Sequence, residues 1–217
     1  MTQGQPKVIF LDAVGTLFSV KGSIGGVYSQ IANDFGVRVP AETINSHFFS
    51  CLKVSPPPIF PNIEEKDIPG EEFNWWQNIS YKTFGKSGVL EHFSDFSAFF
   101  SELYIHFGMA EPWFVYADVF TSLKRWQKMG IDLGIISNFD SRIYSVLEGL
   151  ELRDFFSSVT ISTQVGVAKP DPKIFAIALE KHNCCASEAW HIGDSISKDY
   201  QASKKAGLRG IWINRQQ

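Results

Sequence analysis

The chemistry-bearing residues of this chain stand where apolar runs end. Asp12 closes V-I-F-L-D, Ser137 and Asn138 close I-D-L-G-I-I-S-N, Lys169 sits in V-G-V-A-K-P-D-P-K-I-F, and Asp194 and Asp199 fall in H-I-G-D-S-I-S-K-D. Such a set suits phosphoryl transfer. A carboxylate is a competent nucleophile toward phosphorus, and a covalent intermediate splits one hard step into two easier ones. Two anions approach each other only with compensation, so a hard divalent cation held by Asp12 and Asp194 through oxygen, as magnesium prefers, would neutralise the phosphate. Lys169 adds a second positive charge, and the Ser137 hydroxyl with nearby backbone N–H groups can hold the equatorial oxygens. Gly15 lets the backbone turn tightly against the bound group.

Each residue has an ordinary reading as well. Asp12 could be a helix cap, Ser137-Asn138 turn chemistry, Lys169 a solvated loop lysine, and Asp194-Ser195 the cap of the last helix. Their joint occurrence, in order, on the ends of alternating strands is what favours one site, because ligands of open α/β sheets bind beyond the carboxyl ends of the strands.

The elements that must position these residues can be read from periodicity. Strands are expected over 7–12, 131–137, 158–162, 188–193 and 210–213, and helices over 141–149, 171–181 and 198–206. Alternation at this spacing predicts βαβ units, hence a Rossmann-like α/β core with a parallel sheet and helices on both faces. Between the first strand and the second the pattern turns helical, over 24–35, 40–53, 71–84 and 93–107. The connector 55–70 holds Pro56, Pro57, Pro58, Pro61 and Pro69 and is expected to be non-helical. The organisation that follows is a core domain of residues 1–18 and 112–217 with an α-helical cap domain, 19–111, inserted after the first strand. Hinges are expected near 18–22 and 108–112.

Composition limits the alternatives. The chain has 217 residues, 44% of them hydrophobic and 20% charged, enough to bury a full core. A formal net charge of −3 gives no general attraction to nucleic acid or to an anionic membrane. Residues 1–7 are polar, and no apolar run approaches the roughly 18 residues of a membrane span, so a cytoplasmic protein is expected. Cys51, Cys184 and Cys185 lack zinc-ligand spacing and read as ordinary buried or half-buried thiols. His191 reads as a strand residue, and the aromatic stripe of Trp75, Trp76, Phe93, Phe96, Phe99, Phe100 and Phe107 as core.

Taken together, Asp12-x-x-Gly15-Thr16-Leu17, Ile135-Ile136-Ser137-Asn138, Lys169-Pro170-Asp171-Pro172 and Gly193-Asp194-Ser195 with Asp199 resemble the four signature motifs of the haloacid dehalogenase-like (HAD) hydrolase superfamily. The helical insert resembles the cap of its subfamily IA. D-A-V-G-T-L, G-G-V-Y-S-Q-I-A-N-D-F-G-V, Trp75-Trp76 and S-N-F-D-S-R are similar to the subgroup named after a rhythmically expressed fly gene product. The resemblance implies that Asp12 is the nucleophile and a Mg2+ ligand, with the Val14 carbonyl and Asp194 as further ligands and Asp199 supporting the metal directly or through water. It implies that Ser137 and Lys169 hold the phosphoryl group, with Gly15, Thr16 and Asn138 beside them. A small phosphorylated molecule is the expected partner, with no nucleic acid and no membrane, on a monomer or weak homodimer.

Val14 departs from the pattern, since phosphatases of the superfamily usually carry a second Asp there as acid and base. A carbonyl ligand does not depend on its side chain, so the departure touches proton transfer and not the metal. General acid/base catalysis contributes about 10²- to 10⁴-fold, or roughly 3 to 5 kcal/mol of barrier. The expectation is a magnesium-dependent phosphatase that is slow, selective for good leaving groups such as acyl or aryl phosphates, or assisted by another group. Three alternatives are a phosphate- and metal-binding regulatory protein, a 2-haloacid dehalogenase, and a phosphonate hydrolase that would need a cap lysine such as Lys53 or Lys82.

Overall fold

A computed structural model of the chain describes residues 4–215; residues 1–3 of the polar opening, and 216–217, lie outside the described residues. The run V-I-F-L becomes strand β1 (Val8–Leu11), all four side chains of which are buried, as a central parallel strand covered on both faces requires. β1 pairs in parallel with β4 (Asp132–Ser137) on one side and β6 (Ala189–Gly193) on the other. With β5 (Ser158–Ile161) and β7 (Arg209–Trp212) outside, the order is β5-β4-β1-β6-β7.

Side chains alternate across the sheet. Ile9 and Leu11 pack with Leu133, Ile135 and Ile161 against helices α5 (Val119–Lys128) and α6 (Ile143–Gly149). Val8, Phe10 and Ile136 face α8 (Pro172–Lys181) and α9 (Ala202–Lys205). The short α7 (Ser162–Val165) follows β5 directly.

Residues 24–106 form four helices with a separate hydrophobic cluster. They are α1 (Ile24–Asp34), α2 (Ala41–Val54), α3 (Ile68–Lys86) and α4 (Phe96–His106), and Ile44, Phe48, Ile79, Phe84, Phe99 and Phe100 are buried among them. Ser23 caps α1 by accepting the Gly26 N–H at 3.0 Å, and Asp95 caps α4 by accepting that of Ala98 at 2.9 Å. Among the described residues, no helix is long and apolar enough to cross a membrane.

Three local expectations are corrected. The connector 55–70 is not free of helix: α3 begins at Ile68, because Pro69 falls in its first turn, where the missing N–H costs nothing. At the expected hinges near 18–22 and 108–112 the two chain crossings are tied together, since β2 (Phe18–Val20) and β3 (Trp113–Val115) pair antiparallel and Lys21 N–H donates to the Pro112 carbonyl at 2.8 Å. The expected helix over 198–206 opens instead as a π-helical turn, Ile196–Gln201, before α9. Cys51 is buried and Cys184 half-buried as expected of thiols, but Cys185 is exposed, and all three are free.

Candidate active site

The carboxyl ends of β1 and β6 and the loop that follows β5 and α7 converge on one buried charge cluster. Asp12 follows β1, fixed by its N–H donating to the Ile192 carbonyl of the neighbouring β6 at 2.9 Å. Lys169, 4% exposed, donates from Nζ to Asp12 Oδ1 at 2.7 Å and to Asp199 Oδ1 at 2.5 Å. Burial alone would lower this ammonium's pKa, but Asp12 and then Asp199 outweigh it and hold Lys169 above the ordinary lysine value. Burial likewise works against an ionised Asp199, yet Lys169 and His191 overcome it and hold that carboxyl well below the usual range.

The π-helical turn is what brings Asp199 back over the sheet, a common use of such turns at functional sites. Its Oδ1 also meets His191 Nε2 at 2.9 Å, and its Oδ2 accepts the Ser195 N–H at 3.0 Å. A Cβ on Gly193 would run into this carboxylate, so the close approach requires glycine there. His191 is fully buried on β6, and burial lowers its pKa. It is a strand residue as expected, and it orients Asp199, a role its sequence position did not reveal.

Asp194 stands apart, exposed at the cleft mouth. Partial desolvation, then the charges of Asp12 and Asp199, push its carboxyl up to about 6. Carboxylate oxygens of Asp12, Asp194 and Asp199 lie within 4.8 Å of one another. This all-oxygen donor set, with one member raised by partial burial and by its neighbours' charge, fits a hard divalent cation.

The remaining expected residues divide. Ser137, buried at the end of β4, lines the cleft. Asn138 spends both ends of its amide on Lys169, donating to that carbonyl and accepting that N–H at 2.8 Å each, so it positions the lysine. Gly15 and Thr16 do not line the cleft. The Gly15 N–H donates to the Phe18 carbonyl at 2.8 Å, and a Cβ there, at φ +84°, would lie 2.6 Å from Asp194 Oδ2. Thr16 Oγ1 stands 3.5 Å from Asp194 Oδ1. The Val14 side chain does line the cleft.

Above the cluster the cleft widens into a cavity of about 370 Å³ between the sheet ends and the four helices. Much of the aromatic stripe is core, as expected, but Trp76, Phe100 and Phe107 reach the cavity. Lys53 and Lys82 are exposed and outside it. A buried polar network fastens its rim: Asp140 accepts from Trp76 Nε1 at 2.6 Å and from Arg142 Nε and Nη2 at 2.8 and 2.6 Å. Glu72 of α3 accepts from the Ser141 N–H and hydroxyl at 3.0 and 2.9 Å. Sequence reasoning assigned these residues no role. The one available signal was the polar run D-S-R, one residue after Ser137-Asn138.

A Rossmann-like parallel sheet carries an acidic cluster and a bridging lysine at its carboxyl end, and the chain belongs to the haloacid dehalogenase-like hydrolase family, whose model matches residues 6–207. Haloacid dehalogenase-like hydrolase domain-containing protein 3 of Danio rerio is 32% identical over 207 residues, covering 95% of this chain and 84% of its own length. Rhythmically expressed gene 2 protein of Drosophila melanogaster is 30% identical over 217 residues, covering 96% and 83%, which bears out the subgroup resemblance. Among solved structures, a HAD phosphatase from Thermococcus onnurineus aligns with a TM-score of 0.62 at 24% identity, over 97% of this chain and 87% of that one. L-2-haloacid dehalogenase from Xanthobacter autotrophicus aligns at 0.69 and 18%, over 98% and 80%. At these identities the likeness speaks to the fold, which hydrolases of both kinds share.

Proposed function

We propose that this hydrolase is a magnesium-dependent phosphatase of a small phosphorylated molecule, working through an aspartyl-phosphate on Asp12. The observation that carries the reading is the buried Asp12–Lys169–Asp199 bridge beside a third carboxylate, Asp194. A halide needs neither a cation nor extra acids to leave, so the dehalogenase alternative leaves this cluster without a use. A Schiff base would need a lysine in the cavity near the cap, and Lys53 and Lys82 are outside it.

In this reading the pair 1–18 and 112–217 is the catalytic domain and 19–111 its cap. Asp12, Asp194 and the Val14 carbonyl would hold Mg2+, and Asp199, whose oxygens already serve Lys169, His191 and Ser195, would act through water. The bound cation supplies charge neutralisation that lets a phosphate dianion approach a carboxylate. The free Asp12 oxygen attacks phosphorus in line with the leaving oxygen; the P–O bond to the leaving group breaks as the bond to Asp12 forms. Lys169 retains one proton to donate to the phosphoryl oxygens, and the Ser137 hydroxyl donates another hydrogen bond. Water then attacks the phosphorus, the Asp12 O–P bond breaks to regenerate the carboxylate, and the water proton leaves on the released phosphate.

With Val14 in place of an acid, no neighbouring side chain on the β1 turn protonates the leaving oxygen, so groups that leave as stable anions react best. The test is a Mg2+-dependent assay on acetyl, aryl and alkyl phosphates with wild type and Asp12→Asn. The account expects activity in the order acetyl and aryl above alkyl, and its loss in Asp12→Asn. Halide release from a 2-haloacid without metal, or phosphate and metal binding with no turnover, would overturn it.

A further inference from the structure

The cavity above the phosphate end is walled by Phe48, Phe49, Leu52, Trp76, Phe100 and Tyr104. What matters more is the state of its polar atoms. Tyr28 OH is paired with Ser80 Oγ at 3.2 Å, and Trp113 Nε1 donates to the Phe107 carbonyl at 3.2 Å. Trp76 Nε1 and the Arg142 guanidinium are both committed to Asp140, and Arg142 Nη1 donates to the Tyr104 carbonyl at 3.0 Å. The guanidinium also lies 3.8 Å above the Tyr104 ring, which closes its face. Arg142, the one cation in the upper wall among the described residues, is therefore neutralised, and Lys198 stands exposed at the mouth beside Asp194.

A sugar or polyol phosphate placed here would bury several hydroxyls with little besides the Tyr104 hydroxyl in the upper wall to bond them, and a second phosphate or a carboxylate would find no counter-charge there. A flat apolar body meets aromatic faces and loses no hydrogen bonds. At about 370 Å³ the cavity lies near the lower end of the range for ligand sites, room for one or two rings with the phosphate reaching Asp12. The opposite end of the cleft points the same way. A phenol ionises near pH 10, as tyrosine does, far below the value of about 15.7 for water, so a phenolate departs without the proton that Val14 cannot supply.

We infer that the substrate class is an aryl monophosphate: one phosphate on an apolar aromatic body with no second charge and no array of hydroxyls. The inference rests on the phosphatase reading and deepens it.

Turnover alone would mix leaving-group chemistry with recognition, so the decisive arm is binding. Naphthylmethylphosphonate, which cannot be hydrolysed, is titrated against the Mg2+-loaded protein by tryptophan fluorescence and as a competitor of acetyl phosphate hydrolysis, beside glycerol 3-phosphate and glucose 6-phosphate. The expected result is binding at least about tenfold tighter than either polyol phosphate. A matched pair with similar leaving groups, phenyl phosphate and 4-carboxyphenyl phosphate, should differ at least tenfold in kcat/KM against the charged ring. Phe49→Asp, at a half-exposed wall position that tolerates a polar residue, should lower the ratio of aryl to acetyl phosphate kcat/KM at least tenfold. Equal affinity for arylphosphonate and polyol phosphates would overturn the inference while acetyl phosphate hydrolysis preserved the phosphatase reading. Tight arylphosphonate binding with no hydrolysis of any phosphate would preserve the recognition and overturn the phosphatase.

Discussion

Replacing Asp140 by Asn tests how the four-helix insert is fastened over the site. Asp140 is 2% exposed and accepts four hydrogen bonds: Arg142 N–H and Nε on Oδ1, at 3.0 and 2.8 Å, and Arg142 Nη2 and Trp76 Nε1 on Oδ2, both at 2.6 Å. An Asn retains one acceptor and turns an NH2 toward two donors. It also leaves the Arg142 charge without its partner, with a side chain only 14% exposed. Breaking one side of a buried ion pair costs about 3–5 kcal/mol. For a chain of this size that corresponds to a fall in Tm of roughly 6 to 20 °C. Thermal unfolding followed by circular dichroism reads it directly. Asp140→Leu with Arg142→Met removes both charges and is expected to lose far less, since apolar replacement of a whole buried pair is often neutral. A fall below about 2 °C in Asp140→Asn would refute the reasoning and mean that water, and not the protein, solvates Arg142.

Two further perturbations address proton chemistry and pH. Val14→Asp restores a carboxyl beside Asp12 and is expected to raise kcat on an alkyl phosphate by about 10²- to 10⁴-fold with a smaller gain on an aryl phosphate, measured by steady-state phosphate release. An equal gain on both would contradict the leaving-group account. Burial, reinforced by the Asp140 charge, raises the Glu72 carboxyl above its ordinary value of 4.5. The native state therefore holds its proton more tightly than the unfolded chain, and the stability this confers is complete below that ordinary value and is lost as pH rises through the raised one. Glu72→Gln keeps the acceptor for Ser141 without the charge, so the Tm of wild type is expected to fall relative to the variant between pH 4 and pH 7; a constant difference would contradict it.

The parallel sheet was legible because its inner strands are apolar runs that end at Asp12, Ser137 and Asp194, where apolar side chains give way to polar ones. The charge cluster was legible for the same reason. What escaped is what depends on distant pairing. β2 and β3 have three residues each and exist because Phe18 meets Val115 across the intervening helices. Glu72 and Ser141, 69 residues apart, meet only after the insert docks. Asn138 was legible as a site residue but not as the clamp of the Lys169 backbone, since either amide end could as well face a phosphate. The start of α3 was hidden by Pro69, a helix breaker anywhere but in the first turn.

The central claim is that Asp12 takes the phosphoryl group. Mixing the Mg2+-loaded protein with 32P-labelled aryl phosphate, quenching in acid within one turnover and mapping the label by mass spectrometry tests it most directly. The account predicts a base-labile phosphoryl adduct on the peptide that carries Asp12, absent from Asp12→Asn. An unlabelled Asp12 in a protein that turns over, or an Asp12→Asn variant that hydrolyses the substrate at the wild-type rate, would contradict it.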